Sequence, residues 1–215
     1  MNKHLSTMTN RDLRNTLLTL LKAEFEPYGF ALNKAKAEFT KRVPDGWQKL
    51  HLVFLVRSEG WEINPGLLIR KNVVENLYHQ ASYFEAKYHK TTATIGLPIA
   101  DFIKDGHDYR FQLNKEADLS PTFQGLVALF RQVAIPFFQQ YNSLKEIEKE
   151  VNIKDRKSLF PWINQGSVGL ILAKLVSNPH YGQLEKKYRS YYEQMSKGFY
   201  LPEYEGVVKI LNNMR

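Results

Sequence analysis

The side chains able to do acid–base or ligand chemistry in this chain are few and scattered. There are six histidines, 22 carboxylates and no cysteine in 215 residues, which removes disulfides and thiol nucleophiles. The densest polar group is Asp101, Asp105, His107 and Asp108, in the segment ADFIKDGHD. Its donors suit a hard cation or a proton relay, but it lacks the full pattern of a calcium loop and any second cluster to complete it. A polar turn between strands is the plainer reading. His51 stands among apolar residues, and His79 and His89 lack metal-ligand spacing. Phosphate loop, dinucleotide fingerprint, HExxH helix and nucleophile elbow are all missing. No catalytic residue, metal or cofactor is therefore assigned, and the balance leans away from an enzyme. A site assembled from distant residues, with His51, Asp105 or His107 in it, is kept as a third reading.

Charge is the stronger signal. Thirty Lys and Arg against 22 Asp and Glu give a net charge of +8, which can steer a chain toward acidic protein or nucleic acid. The cations fall in small groups, such as Arg70/Lys71, Lys154/Arg156/Lys157 and Lys186/Lys187/Arg189, mostly interleaved with acids. A solvated basic surface is the default account. Two places join charge to large rings. One is the rim of a hairpin, with Lys49, Arg57, Arg70 and Trp61. The other is the run from Lys154 to Trp162, where Lys154, Arg156 and Lys157 precede Phe160 and Trp162. Basic residues beside aromatics can neutralise phosphate and stack on bases, or the rings can simply dock the loop onto the domain. The candidate binding residues are Lys49, Arg57, Trp61, Arg70, Lys154, Arg156, Lys157 and Trp162. The preferred partner is an acidic protein, and nucleic acid is the alternative.

The elements that must position these residues are legible in part. Thr9 and Asp12 have capping-box spacing, and Leu13, Leu17, Leu20, Leu21 and Phe25 follow at helical intervals, predicting a helix over 9–28. Residues 47–70 read as a long hairpin around a Glu59-Gly60 turn. That register puts Leu50, Leu52, Phe54 and Val56 with Ile63, Pro65, Leu67 and Ile69 on one core face, covered by the first helix. Pro65 lacks a ladder N–H and demands an edge or a bulge. A preceding strand, 35–43, joins through Pro44-Asp45-Gly46, and a three-residue loop there sets Phe39 opposite His51. A helix with Asn72 as its N-cap candidate, and strands at 91–97 and 109–113, follow. From Ser120 the pattern is helical: Pro136 kinks or ends the first helix, Ser143 starts a short charged one whose carboxylates and lysines read as solvated surface, and three more run over 168–176, 181–195 and 202–214.

The expected fold is α+β: an antiparallel sheet of about five strands packed against helices, followed by an all-helical C-terminal part. The division expected is 1–142 for the sheet domain and 143–215 for the helical subdomain. Hydrophobic residues at 43% and charged residues at 24% are ordinary for a globular chain. No window reaches the roughly 18 apolar residues of a membrane span, and MNKHLSTMTNRDLRN lacks a signal peptide's apolar core. Insertion in a membrane is not expected, and the cytoplasm is the expected location. The series of a helix leaving through Tyr28-Gly29-Phe30, a strand with Phe39, the apolar strand Leu50 to Val56, and Ile63-Asn64-Pro65-Gly66-Leu67 resembles an uncharacterised bacterial domain family with a "GF" exit and an I-N-x-G strand. The likeness spans about residues 10–80. It implies a sheet-and-helix fold and a role as an immunity or partner-type protein, and it carries no catalytic residue.

Overall fold

The Thr9 hydroxyl accepts the Asp12 N–H, and the Asp12 carboxylate accepts the Thr9 N–H, each at 3.2 Å. Two otherwise orphaned donors are thereby satisfied, and helix α1 (Asn10–Phe25) starts there in a computed structural model describing residues 8–154, 157–160 and 162–214. Leu13, Leu17, Leu18, Leu21 and Phe25 are its buried stripe. Leu20, expected on that stripe, faces solvent instead, because Leu18 lies beside Leu21 on the covered side. A single 3-10 turn, Glu26–Tyr28, ends on Gly29 in the left-handed region, at φ +85°. Phe30 is buried, whereas Tyr28 stays exposed and meets the ring of Phe130 edge-on.

The fold is α+β, with a six-stranded antiparallel sheet. Strands β1 (Ala31–Asn33), β2 (Glu38–Val43), β3 (Gly46–Val56), β4 (Trp61–Lys71) and β5 (Ile95–Pro98) lie in sequence order, and β6 (Phe111–Leu113) also pairs with β4. The short β1 has no apolar alternation, and the sequence reading missed it. Two registers differ from expectation. Val43 pairs with Gly46, so the loop is Pro44-Asp45 and Phe39 faces Leu50, not His51. Proline as the first loop residue has no N–H to pair, so its missing donor was no obstacle to the tighter turn. Phe39 thus joins the Leu50/Leu52 face and is buried against Phe25, with ring centroids 4.8 Å apart. In the long hairpin Arg57 and Gly60 exchange backbone hydrogen bonds, making the turn Ser58-Glu59. Gly60 is needed for close approach, since a Cβ there would lie 2.6 Å from Asn114 Oδ1 and 2.8 Å from Asn114 Cα. The shift preserves the two faces, and Leu50, Leu52, Ile63, Pro65, Leu67 and Ile69 are buried while Val56, at the tip, is 75% exposed. Pro65 sits two residues past Ile63, the last residue paired with β6, where that ladder has ended.

The chain forms two compact units, each built from two stretches. The first, residues 1–68 and 97–139, holds α1, β1–β3, α3 (Ile99–Ile103), β6 and α4 (Leu119–Leu129). Its core is aromatic: Phe25 stacks on Phe130 at 4.0 Å, and Phe30 meets Phe130 and Phe138. Helix α4 begins under Asp118, not at Ser120, and passes through a π-helical stretch, Phe130–Ala134, into α5 (Ile135–Gln140). Pro136 has no N–H to offer the preceding turn, and the widened stretch absorbs that loss, so the helix continues instead of ending.

The second unit, residues 69–96 and 140–215, holds α2 (Asn72–Tyr78), α6 (Leu144–Val151), α7 (Gln165–Leu175), α8 (Tyr181–Gln194) and α9 (Leu201–Asn212). Asn72 is the first residue of α2 and not its cap, which is Lys71. Helix α7 is buried from Gly166 to Ala173 and packs against α2, α6, α8 and α9. A helix apolar on all sides needs such a wrapping. Ser143 caps α6 by accepting the Glu146 N–H at 3.2 Å. Glu148 and Glu150, expected in solvent, are buried. Glu148 accepts from Asn152 at 2.8 Å and from Asn178 at 2.5 Å, and Glu150 accepts the Leu159 N–H. Among the described residues no helix is long and apolar enough to cross a membrane.

Candidate functional site

Three of the second unit's surface concavities are lined by residues with chemistry to offer. The first lies where the chain leaves α6, at the N-terminus of α7 and beside α8. It is a cavity of about 540 Å³ lined by Val151, Ile153, Lys154, Lys157, Ser158, Gln165, Gly166, Lys187, Tyr188 and Tyr191. Lys187 and Tyr191 are one helical turn apart on α8 and so share a face. The loop after α6 is anchored by the Leu159 N–H on Glu150, by Phe160 packed 5.4 Å from Tyr141, and by Gln165 donating to the Val151 carbonyl. Tyr188 donates to Asn152 Oδ1 at 2.6 Å, and Asn152 in turn donates to Glu148 and to the Gly169 carbonyl. Burial, with Tyr192 and Glu148 nearby, pushes the Tyr188 hydroxyl well above its ordinary range. It therefore remains a neutral donor. Gly166 lets α7 and α8 approach, since a Cβ would come within 2.7 Å of the Tyr192 ring and 2.9 Å of that of Tyr188.

Three ammonium groups and the positive end of α7 share this cavity, and no carboxylate lines it among the described residues. Lys187 Nζ stands 5.6 Å from the centre of the Tyr188 ring, a cation–π distance. The arrangement can hold an anion and lay a flat or apolar group against tyrosine.

Behind Thr92, on the wall of the second concavity, lies a buried polar network. Glu75 is fully buried and accepts from the hydroxyls of Thr92 (2.6 Å) and Thr94 (3.0 Å), with Arg70 at 3.8 Å. Arg70 also donates to Thr92 O and Oγ1 and to Asn72. His79 Nε2 lies 2.7 Å from Thr92 Oγ1 and Nδ1 lies 2.8 Å from Ser82 Oγ. The Thr92 proton goes to Glu75, so His79 must donate from Nε2 and accept at Nδ1. Both lone pairs of the Thr92 hydroxyl are then used by Arg70 and His79, which leaves it no nucleophilic pair although it borders a cavity of about 480 Å³. Burial, together with His89 stacked at 4.2 Å and the charge of Arg70, lowers His79 to about 4. Burial raises Glu75 above the usual carboxylate range. The third concavity, lined by Tyr78, Tyr83, Phe84, Ile163, Asn164, Tyr200 and Glu203, is smaller, at about 260 Å³.

Of the residues singled out in the sequence, Lys154 and Lys157 come together in the lysine cavity, and Trp162 does not. It lines the neighbouring cavity with Phe84 and Thr92. Arg156 lies outside the described residues. Lys49 is buried in an ion pair with Glu38 (3.0 Å) and against Trp47. Arg57 pairs with Glu62 at 2.7 Å. Trp61 donates its indole N–H to Asn10 O and packs on Phe54. Arg70 is consumed by the Thr92/Glu75 network. His51 is half-buried opposite Glu38, and burial lowers its pKa. Asp105 accepts from the Tyr109 hydroxyl and the His107 N–H in an exposed loop. Among the described residues no three His, Cys, Asp or Glu side chains gather as metal ligands. Lys187, Tyr188 and Tyr191 were missed as a group. Their one-turn spacing on a charged helix was the available signal. Compared with protein-family models, curated proteins and solved structures, the chain matches none.

Proposed function

We propose that the chain is a non-catalytic interaction module of the cell interior that takes an acidic segment of a protein partner in the lysine cavity of its second unit. The observation that supports this reading is the convergence of Lys154, Lys157 and Lys187 with Tyr188 and Tyr191 on one cavity without a lining carboxylate among the described residues. Carboxylate side chains meet the ammonium groups, and the apolar stems between them lie along the tyrosine rings.

The same chemistry would serve phosphate and a stacked base. A nucleic-acid footprint, however, needs cations spaced along a backbone track. Of the other basic residues singled out in the sequence, Lys49, Arg57 and Arg70 are engaged with Glu38, Glu62 and Glu75, which disfavours a wider track built on them. Fluorescence anisotropy with a labelled Asp/Glu-rich peptide and a single-stranded oligonucleotide of equal charge separates the two. The peptide should bind, and reversing all three lysines to Glu should weaken it by at least about tenfold, from roughly 0.5 kcal/mol per exposed contact. Unchanged peptide binding by that variant sinks the reading. Tighter oligonucleotide binding that falls steeply with salt replaces it with the nucleic-acid one.

A further inference from the structure

Glu203 is 5% exposed, yet no ion pair among the described residues involves it. Its Oε1 accepts the Tyr78 hydroxyl at 2.8 Å and its Oε2 accepts the Tyr83 backbone N–H at 2.7 Å. These are neutral donors. Glu75, on α2, has Arg70 beside it, and Glu148, which is also held by neutral amide donors, lines none of the three cavities described above. A buried anion held by neutral groups alone is costly, and protein interiors normally supply a counter-charge.

The surroundings of Glu203 say what kind of counter-charge would fit. It lines the cavity of about 260 Å³ together with Tyr78, Tyr83, Phe84 and Tyr200. Tyr78 and Phe84 meet at 6.3 Å in a T-shape, and Tyr83 and Phe84 stand half-exposed at the opening. Burial and the charge of Glu203 both hold the Tyr78 hydroxyl in its neutral form. Aromatic rings present negative faces, and a carboxylate among them deepens the negative potential. A bare metal ion would find one carboxylate here and no cluster of further ligands among the described residues. A neutral apolar guest would leave Glu203 without its counter-charge. The volume suits a head group and is below the usual range for a drug-sized ligand.

We propose that this pocket binds a quaternary or alkylated ammonium group, with Glu203 as counter-ion, Tyr78, Tyr83, Phe84 and Tyr200 as its aromatic walls, and Ile163 and Asn164 completing the lining. The site is separate from the lysine cavity and stands or falls without it. Two sources present the same cation: a free small molecule, or a methylated lysine of a peptide.

The test titrates the full chain with choline, with 3,3-dimethylbutan-1-ol, which has carbon in place of the charged nitrogen, and with N-acetyl-trimethyllysine methylamide, read by NMR shifts of the aromatic protons. At least one of the two cations should bind, and the neutral alcohol should bind at least about tenfold more weakly than that cation. Glu203→Gln and Tyr200→Leu should each weaken the cation by a similar factor. Tyr200 is only half-buried, so its variant keeps the test decisive if Glu203→Gln does not fold. Preference for choline assigns the cation to a small molecule, and preference for the trimethyllysine derivative assigns it to a peptide. Equal binding of the alcohol, or no binding of either cation up to about 50 mM, overturns the proposal.

Discussion

Replacing His79 by Gln should flatten the acid sensitivity of the second unit. In the folded chain His79 is held at about 4, against an ordinary value of 6.5, and its side chain is 4% exposed. Glu75 Oε2 lies 3.6 Å away, but Nε2–H is already spent on Thr92 and the Glu75 carboxyl is itself pushed toward its neutral form. Arg70 and His89 add positive charge nearby. Between the two values the unfolded chain takes up a proton and the folded chain does not. Stability from this residue is therefore complete above about pH 6.5, declines as pH falls toward 4, and is level below that. At about 1.4 kcal/mol per unit the ceiling is roughly 3 kcal/mol, of which about 2 kcal/mol is lost by pH 5. Glutamine can still donate to Thr92 and does not titrate. Glu75 has the opposite sign, since a raised carboxyl favours the fold at low pH, but it is present in both proteins and cancels in the difference. Urea midpoints at pH 5, 6, 7 and 8 for wild type and variant measure that difference, and the imidazole NMR titration reports the His79 value directly. Parallel pH profiles, or a His79 resonance titrating near 6.5, refute the reasoning.

Two further outcomes follow from packing and caps. Gly169→Ala should cost about 1–3 kcal/mol, because the new Cβ would stand 2.6 Å from Asn152 Oδ1 and 2.8 Å from the Tyr188 hydroxyl and break their hydrogen bond; thermal unfolding measures it. Thr9→Ala removes the α1 capping box and should cost about 1 kcal/mol, seen as a lower urea midpoint, while Thr9→Ser should restore it.

What was legible in the sequence was whatever local chemistry decides. Thr9/Asp12 and Ser143 announce their helices because a cap is a contact across three residues. The two faces of the long hairpin follow from alternation, which survives the shift of the turn from Glu59-Gly60 to Ser58-Glu59. The fold class followed from the same patterns. The exact registers did not, because proline and glycine near a turn admit more than one loop, and Gly60 answers to Asn114, far along the chain. The candidate sites were less legible still. Lys154 and Lys157 stood out beside rings, but Lys187 joins them only through the packing of α8 near the start of α7. Glu75, Glu148 and Glu203 look like surface residues in a string of letters. Partners 17 to 125 positions away, among them Thr92, Asn178 and Tyr78, make them interior.

The proposal that the lysine cavity receives an acidic segment is tested most directly by amide hydrogen exchange of the whole chain with and without a saturating Asp/Glu-rich peptide. Slowed exchange confined to the segments after α6 and around Lys187–Tyr191 is the expected result, and it should disappear when Lys154, Lys157 and Lys187 are reversed to Glu. Bound peptide that leaves those segments unprotected, or protects them equally in the reversed variant, would contradict it.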